Sequence, residues 1–518
     1  MKFFNTAGPI NPEMHYFIPH RLNEPLVQQL LQQQKYFILH APRQSGKTTA
    51  ILQLVKQLNK DGQYKALYVN IEPAQAARGR LLEGMRTVLS CFKSAINITF
   101  GERDIAADYL QQVCSSPNLS GNAVQEFLQF WSQKSDKPLL VFIDEIDSLI
   151  GDTLISVLRQ LRAGYTGRPK NFPQSVCLVG VRDVRDYRIW SDEEQAMVLG
   201  GSAFNIKAES LVISSFSLEQ VRDLYLQHTQ ETGQVFEEAA IAYAFEQTQG
   251  QPWLVNALAY EACFRVVTDR SQPITLEILQ TARETLIQRR DTHIDALIAR
   301  LQEPRVRTII DAMINSTEES LAVSEDDIRY VCDLGLITKQ SGILAIANPI
   351  YQEVVPRELA YVMQTTIVQK MAWYQRGDGS LDMIKLMSAF TQFYRENIDS
   401  WIDHNKYKEA APHIILMAFL QRIINGGGTI HREYGLARKR VDLLVGYGNQ
   451  RIVIELKVLR GEKTVQEGLE QTAQYMDISN ATEGHLVIFD QSKTKSWGDK
   501  VFQHEEKHAG ESIHVWGM

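Results

Sequence analysis

The chain has few cysteines and lacks any long apolar run. Its five cysteines are scattered over 518 residues, and no two are spaced as a CxxC pair. This pattern argues against a zinc site or a disulfide framework and fits a reducing cytoplasm. The apolar runs fall short of the ~18–20 residues that a membrane helix needs, and Asn5 and Pro9 interrupt the N-terminal segment too early for a cleavable signal. We therefore expect a soluble, cytoplasmic protein without a membrane partner.

A net positive charge is also lacking. The formal net charge is −7, so any contact with nucleic acid would have to come from local basic patches. The sequence contains no internal repeat and no low-complexity tract, and its hydrophobic content of 44% is ordinary for folded domains. A chain of this length is expected to form three or four domains.

Short apolar runs alternate with amphipathic stretches in the first part of the chain. Near-continuous apolar runs are typical of buried parallel strands, because helices cover both faces of such a sheet. The predicted strands are residues 36–40, 65–71, 138–144 and 175–181. Amphipathic stretches such as 49–58 and 82–92 predict helices between them. The predicted fold class is therefore α/β and multidomain.

The pattern changes after this region. Strand signals vanish after Ser217, and helical spacing continues to about Leu301. Residues 304–357 then contain two helical patterns and a Gly-centred hairpin, which suggests a winged helix. Arg376–Ser380 has the composition of a linker. The predicted domains are a parallel-sheet core (1–215), a helical lid (216–302), a winged helix (303–360), a helical linker (361–404) and a C-terminal α/β domain (405–518).

A candidate phosphate site follows the first apolar run. The segment APRQSGKTT begins at Ala41 and opens a helical pattern. A strand end, a turn whose N–H groups wrap phosphates and a helix N-terminus together bind nucleotide phosphates. Gly46 allows close approach, Lys47 would neutralise the β- and γ-phosphates, and Thr48 would hold magnesium. The predicted nucleotide contacts are Arg43, Gln44, Ser45, Gly46, Lys47, Thr48 and Thr49.

The motif departs from the usual P-loop at one position. Ala41 stands where GxxxxGK(S/T) has its first glycine. Alanine is small, but the departure leaves nucleotide affinity open. A polar, Gly-containing turn that opens any helix is the alternative interpretation.

A pair of carboxylates ends the third apolar run, about a hundred residues later. Asp144 would lie near the magnesium, and Glu145 would polarise the attacking water. Asp147 is interpreted as a cap of the following helix. Arg182, after the next run, stands where a γ-phosphate sensor would lie, although a surface pair with Asp183 explains it equally well.

These motifs resemble those of AAA+-related P-loop ATPases of the signal-transducing (STAND) and origin-ATPase-like branch, over residues 20–300. The matching features are PRQSGKTT, VFIDEID, Arg182 and the lid motif Gly250–Pro252. The resemblance implies ATP and Mg²⁺ as cofactors, an adenine contact at Pro252, and a winged helix after the lid. Members often self-assemble, and hydrolysis between subunits stays open because the resemblance assigns no arginine finger.

A second group of polar residues lies near the C-terminus. Asp442, Glu455 and Lys457 fall on two successive strand-like runs, VDLLV and RIVIELKV. Glu455 and Lys457 share one face, because alternate residues of a strand point the same way. A polar pair within an apolar strand is costly unless it has metal or charge partners. Asp442 and Glu455 would bind Mg²⁺ or Mn²⁺, and Lys457 would orient water or stabilise negative charge. A surface hairpin with alternating Glu and Lys is the alternative.

A following helix adds Gln471 and Tyr475, which lie one turn apart. The set D–x12–ExK with QxxxY resembles the PD-(D/E)XK nuclease superfamily, especially its RecB-type members, over residues 405–490. The resemblance implies a restriction-endonuclease-like fold, with the triplet as catalytic core and Gln471 and Tyr475 as auxiliary or DNA-positioning residues. Many members add an acid from the first helix, matched best by Glu409 and more weakly by His413. A solvated helix face would explain both residues nearly as well.

Basic residues concentrate around the same hairpin, as phosphate-backbone contact would require. They are Arg432, Arg438, Lys439, Arg440, Arg451, Arg460 and Lys463. An ordinary solvated surface could also carry them.

Together, the two sites predict an ATP-dependent or ATP-gated metal nuclease that acts on nucleic acid, with DNA favoured and the choice between DNA and RNA left open by the sequence. The resemblance suggests a role in defence against foreign DNA or in genome and mobile-element maintenance, with self-assembly or a protein trigger. One alternative is a STAND-type switch whose C-terminal domain binds nucleic acid without cutting it. Another is a DNA-loading ATPase in which the winged helix dominates.

Overall fold

The computed structural model describes most of the chain. The described residues are 1–22, 24–102, 104–191, 196–289, 299–315, 324–340, 343–355, 374–404, 416–417, 419–420, 429–433, 441–459, 461–490, 492 and 495–518. They fall into two compact units. The first combines residues 1–293 with 324–348, and the second combines residues 294–323 with 349–518.

The first unit is built on a five-stranded sheet in the order β2-β3-β4-β1-β7, with every pair parallel. Its strands, with the separate hairpin β5–β6, are β1 (Tyr36–His40), β2 (Lys65–Asn70), β3 (Leu139–Asp144), β4 (Ser175–Gly180), β5 (Arg188–Ser191), β6 (Ala196–Leu199) and β7 (Lys207–Val212). The four predicted strands are β1 to β4, and the predicted parallel sheet is confirmed. The edge strand β7 was not predicted.

Helices cover both faces of this sheet. They are α1 (Glu24–Gln32), α2 (Lys47–Asp61), α3 (Leu81–Phe100), α4 (Ile105–Ser115), α5 (Ala123–Lys134), α6 (Gly151–Gly164) and the short α7 (Gly200–Ala203). Strand alternation divides the core, so that Phe37 and Leu39 share a cluster with α1 and α2, whereas Ile38 shares one with α3 to α6. This double covering explains why β3 and β4 are buried along their whole length.

A group of helices follows the sheet, in the region predicted as a lid. They are α8 (Leu218–Thr232), α9 (Glu238–Thr248), α10 (Pro252–Glu261) and α11 (Leu276–Arg289). Ser217 and Gln220 form a capping box at the start of α8. The N-terminal segment completes the core of this group, because Phe4 and Tyr16 are buried among its apolar residues.

Residues 324–348, named here the wing segment, belong to the first unit although they follow part of the second. Helix α12 (Pro304–Asn315) precedes the wing segment, which contains α13 (Glu325–Asp333), β8 (Ile337–Gln340) and β9 (Ile343–Ile346). Ser324 caps α13 by accepting a hydrogen bond from the Asp327 N–H at 3.1 Å. The winged helix and the other domain boundaries stay predictions.

The second unit contains a six-stranded mixed sheet in the order β10-β11-β12-β13-β15-β14. Its strands are β10 (Thr429–Glu433), β11 (Val441–Tyr447), β12 (Gln450–Val458), β13 (Glu483–Phe489), β14 (Phe502–His508) and β15 (Glu511–Gly517). Its helices include α14 (Met383–His404), α15 (Glu462–Ser479) and the short α16 (Trp497–Lys500). Helix α14 packs on the face that carries Leu443 and Ile454, whereas α15 packs on the face that carries Leu444 and Val453.

Within the described ranges, no helix combines the length and the apolar content needed to cross a membrane.

Candidate functional site

The loop between β1 and α2 has the backbone shape of a phosphate cradle. The Ala41 N–H donates to the Gly180 carbonyl at 3.3 Å, which ties the start of the loop to β4. Gln44 and Gly46 have positive φ angles of 57° and 90°, and Gly46 is the N-cap of α2. A turn of this kind at a helix N-terminus exposes a concave row of N–H groups, which favours anions.

Lys47 lies inside this loop with 7% of its surface exposed. Its Nζ donates to the carbonyl oxygens of Ala41 at 2.7 Å and Pro42 at 2.9 Å. Burial lowers the pKa of its ammonium group. The buried Ser45 Oγ has no hydrogen-bond partner among the described atoms. The loop therefore offers a cation and a hydroxyl group, which fit a phosphate.

Asp144 lies beside the first turn of α2. Its Oδ2 accepts hydrogen bonds from Thr48 Oγ1 at 2.9 Å and from the Tyr68 hydroxyl at 2.8 Å. Its Oδ1 accepts from the Glu145 N–H at 2.9 Å. The structure thus brings together Thr48 and Asp144, the two side chains predicted to hold Mg²⁺, and adds Tyr68, which sequence reasoning missed.

Glu145 follows in a left-handed conformation with φ 59°. Burial raises the pKa of its carboxyl group to about 7, with further contributions from the negative charges of Asp147 and Asp144. A carboxylate with a pKa near neutrality suits a general base. The interpretation of Asp147 as a helix cap is wrong, because Ile150 is the N-cap of α6 and Asp147 lies in a 3-10 turn before it.

Arg182 lies just beyond β4 and is buried, with 7% of its surface exposed. Its Nε donates to Asp333 Oδ2 at 3.1 Å, so its carboxylate partner comes from the wing segment. Asp183 instead accepts hydrogen bonds from Lys207 and Ser210. The alternative of an Arg182–Asp183 surface pair is therefore wrong.

The N-terminal segment connects the loop with the lid helices. Trp253 Nε1 donates to the Thr6 carbonyl at 2.8 Å, and the Ile10 N–H donates to Thr49 Oγ1 at 3.2 Å. Pro252, the predicted adenine contact, is buried in the first turn of α10 next to Trp253. Of the remaining predicted contacts, Arg43 and Gln44 have exposed side chains.

Arg21 is a half-buried residue of this region that sequence reasoning missed. Its guanidinium donates to the carbonyl oxygens of Ser45 and Ser214 and lies 4.6 Å from the centre of the Phe216 ring. It thereby joins the loop to the chain that enters the lid helices. No motif or spacing in the sequence indicated this role.

We expect Tyr68→Phe to raise the Mg²⁺ concentration needed for half-maximal ATP hydrolysis by about tenfold, because groups that orient metal ligands affect metal affinity to this degree. The substitution removes the hydroxyl that donates to Asp144 and leaves the ring. Titration of Mg²⁺ at saturating ATP would measure the effect. An unchanged Mg²⁺ requirement would show that Thr48 and the Glu145 N–H suffice to orient Asp144.

The C-terminal triplet lies on one face of the mixed sheet. Strands β11 and β12 pair antiparallel with Leu443 opposite Ile454, a register that places Asp442 opposite Glu455. Asp442 Oδ2 accepts a hydrogen bond from the Leu456 N–H at 2.8 Å. Lys457 Nζ donates to Glu455 Oε1 at 2.6 Å. The three side chains that were predicted to meet are thus adjacent.

Glu455 is fully buried, and its Oε2 has no hydrogen-bond partner among the described atoms. Burial and the negative charge of Asp442 raise the pKa of its carboxyl group to about 8, against the opposing effect of Lys457. A buried carboxylate with a free oxygen beside a second carboxylate fits a divalent cation.

Helix α15 carries Gln471 and Tyr475 and covers the face of the sheet on which Asp442 and Glu455 lie. Tyr475 is buried, and Gln471 Oε1 is buried without a hydrogen-bond partner in the described structure. Within the described structure, one side-chain oxygen of Glu455 and one of Gln471 therefore have no hydrogen-bond partner on this side of the sheet.

Several predicted residues lie outside the described part of the chain. Glu409, His413, Arg438, Lys439, Arg440 and Arg460 are among them, and for Arg432 only the backbone is described. Within the described residues, no group of three or more His, Cys, Asp or Glu side chains is placed to hold a metal ion. Of the remaining basic residues, Arg451 donates to the Ser479 carbonyl at 3.0 Å and Lys463 is exposed.

Comparison with solved structures gives distant likenesses. The Walker-type ATPase PABY2304 of Pyrococcus abyssi is 15% identical over 68% of this chain and 99% of its own, with a TM-score of 0.46. The RuvB Holliday junction branch migration motor of Thermotoga maritima is 12% identical over 64% and 95%, with a TM-score of 0.34. Cdc6p of Pyrobaculum aerophilum is 13% identical over 67% and 97%, also with a TM-score of 0.34. Such values carry no argument about function.

No curated protein sequence matches the chain. Two domain families do. Residues 382–493 match a domain of unknown function, DUF8371. Residues 5–355 match the AAA-like domain, a span that includes the phosphate loop, Asp144, Arg182 and the wing segment. The chain therefore belongs to the AAA-like domain family.

Proposed function

We propose that this protein is an ATP-dependent or ATP-gated, metal-dependent nuclease that hydrolyses phosphodiester bonds of nucleic acid. The observation that carries the nuclease half is the buried Glu455, which lies opposite Asp442 and binds Lys457 through Oε1, while its Oε2 has no hydrogen-bond partner among the described atoms. The ATPase half rests on the AAA-like domain and on the loop geometry around Lys47.

In the first unit, each residue of the site would have its own role in ATP hydrolysis. The loop N–H groups and Lys47 would bind the phosphates, while Thr48 and Asp144 would hold Mg²⁺, which neutralises charge on the phosphates when bound. Glu145 would accept a proton from the attacking water, a role that its pKa of about 7 suits. Arg182 would contact the γ-phosphate.

The C-terminal residues would act on a phosphodiester. Asp442 and Glu455 would hold a divalent ion, Mg²⁺ or Mn²⁺, which lowers the pKa of bound water and stabilises charge at phosphorus. Lys457 is held at Glu455 and would orient the water or neutralise the developing negative charge. Gln471 and Tyr475 would position the substrate from α15. The order of strands and helices in this unit, with α15 between β12 and β13, is compatible with a restriction-endonuclease-like domain.

DNA is the substrate that we favour, and the wing segment and the basic residues near β12 are the proposed contacts. Self-assembly or a protein partner would provide the trigger. A role in defence against foreign DNA or in genome and mobile-element maintenance follows as the biological context of such a nuclease.

The test is cleavage of supercoiled plasmid and of single-stranded DNA and RNA by the full-length protein, with Mg²⁺, Mn²⁺ or EDTA and with or without ATP. We expect nicking that requires the metal and changes with ATP. Absence of cleavage on every substrate, under every nucleotide condition, would contradict the nuclease half while leaving the ATPase half intact.

A second candidate is an ATP-driven switch whose C-terminal unit binds nucleic acid without cutting it. The observation in its favour is that Lys457 binds Glu455 Oε1 directly at 2.6 Å, while Asp442 accepts a hydrogen bond from the Leu456 N–H. This candidate predicts ATP-dependent retention of DNA in a gel-shift assay, with intact plasmid in the presence of Mg²⁺ or Mn²⁺.

A further inference from the structure

The guanidinium of Arg182 lies where the sheet meets the phosphate loop. Strand β4 ends at Gly180, which is in register with His40 at the end of β1. The Gly180 carbonyl accepts the N–H of Ala41, the first residue of the loop. Arg182 thus follows β4 at the same edge of the sheet from which the loop and Asp144 emerge.

Three residues on one face of α13, in the wing segment, lie next to this guanidinium. Asp333 Oδ2 accepts from Arg182 Nε at 3.1 Å, and the Tyr330 ring centre lies 4.9 Å from the guanidinium carbon. Asp326 Oδ1 lies 3.7 Å from Arg182 Nη2. These three residues are four and three positions apart, so they share one side of the helix.

The wing segment also touches the phosphate loop itself. Gly335 has a φ of 77°, and a Cβ built there would lie 2.8 Å from Pro42 Cβ. Arg329 forms an ion pair with Asp186 at 3.3 Å, just beyond the end of β4. The segment is therefore held at the loop and at Arg182 together.

The Arg182–Asp333 pair leaves part of the guanidinium without a hydrogen-bond partner in the described structure. Arg182 Nη2 is buried without a hydrogen-bond partner among the described atoms, because Asp326 is too far away for a hydrogen bond. A guanidinium binds best when two of its nitrogens donate to two oxygens of one carboxylate or phosphate. A phosphate could accept hydrogen bonds from both Nε and Nη2, whereas Asp333 accepts only from Nε.

We propose that Asp333 sets the discrimination between ATP and ADP, because it competes with the γ-phosphate for Arg182. This inference rests on the nucleotide binding proposed above. ATP gains Arg182 only by displacing Asp333, so the carboxylate lowers the affinity for ATP. ADP, which lacks the third phosphate, leaves the Arg182–Asp333 pair in place. The wing segment thereby distinguishes the two nucleotides.

The test compares Asp333→Asn with wild type, using full-length protein and calorimetric titration with ATPγS and with ADP in the presence of Mg²⁺. We expect the ratio of the ADP to the ATPγS dissociation constant to rise by about tenfold, as expected for loss of one charged hydrogen bond, with little change for ADP. Glu325→Gln, an exposed acid on the same helix, is the matched control and should change neither constant.

A second variant distinguishes competition from an unspecific effect of the substitution. In an Arg182→Ala background, Asp333→Asn should leave the ratio unchanged, because no guanidinium remains to be released. A shift of the same size in that background would overturn the inference. So would a ratio in Asp333→Asn equal to that of the Glu325→Gln control.

A different result is expected if the proposed nucleotide site itself is wrong. Lys47→Ala should weaken the binding of both nucleotides. If wild type binds neither nucleotide, or if Lys47→Ala binds both as wild type does, the proposed nucleotide site is wrong and the role of Asp333 falls with it. If wild type binds both and Lys47→Ala does not, the ratio measured for Asp333→Asn decides the inference by itself.

Discussion

Replacing Lys457 with alanine is expected to lower metal-dependent DNA cleavage by roughly 100- to 1000-fold, the cost of removing one group that stabilises transition-state charge. ATP hydrolysis should persist, because every residue proposed for that reaction lies in residues 1–293. The measurement is the initial rate of plasmid nicking in Mg²⁺, made beside the ATPase rate of the same preparation.

Lys507→Ala is the matched control for this prediction, since Lys507 is an exposed lysine on β14, which β13 and β15 separate from β12 in the same sheet. It should keep the cleavage rate within about twofold, the range of small surface effects. Glu455→Gln should lower cleavage as much as Lys457→Ala, because it removes a carboxylate that is proposed to bind the metal. Equal cleavage by wild type and Lys457→Ala would assign the activity to other residues or to a contaminant.

Replacing Glu145 with glutamine is expected to slow ATP hydrolysis by roughly 100- to 10,000-fold, the usual contribution of a general base. Nucleotide affinity should stay near that of wild type, because Glu145 is proposed to act on the attacking water rather than on the phosphates. Glu219→Gln, an exposed acid at the start of α8, serves as the control. An ATPase rate in Glu145→Gln equal to that of the control would remove Glu145 from the reaction.

The same variant distinguishes gating by ATP binding from dependence on ATP hydrolysis. If binding alone opens the nuclease, Glu145→Gln with ATP should cut DNA as fast as wild type or faster, since ATP stays bound. If turnover is needed, cleavage should fall together with the ATPase rate. The nicking assay with ATP, ADP and no nucleotide measures both outcomes.

The parallel sheet could be predicted from sequence because its strands are buried on both faces. The run YFILH coincides with β1, and the other three runs extend at most one residue beyond β2, β3 and β4. Strand β7 escaped prediction because Ala208 and Glu209 are exposed and its run is not uniformly apolar.

At one turn, local composition left the structure undetermined. The segment Arg376–Ser380 was predicted as a linker from its Gly, Asp and Ser residues. In the structure the Arg376 N–H donates to the Ser380 carbonyl at 2.8 Å, and Asp378 accepts from the Ser380 N–H. Tight turns and linkers use the same residues, so composition alone does not separate them.

Whether a site residue could be predicted depends on how far it lies in the sequence from the residues that it contacts. Lys47, Thr48 and the Glu455–Lys457 pair follow from local spacing, since a helix start or a strand fixes their relative positions. Tyr68, Arg21 and Asp333 act on residues that are distant in the chain, and no periodicity encodes such contacts. For Tyr68 a weak signal existed, because a polar aromatic residue within a buried strand must satisfy its hydroxyl.

The order in which the chain builds its two units has a consequence for recombination. The chain leaves the first unit after residue 293 and returns for residues 324–348 before it continues into the second. If recombination replaced the part of the gene after residue 300, the hybrid protein would keep Arg182 but lose Asp333, its carboxylate partner. A junction that keeps the AAA-like domain intact must therefore lie beyond residue 355, and hybrids joined before the wing segment would leave Arg182 without its carboxylate partner.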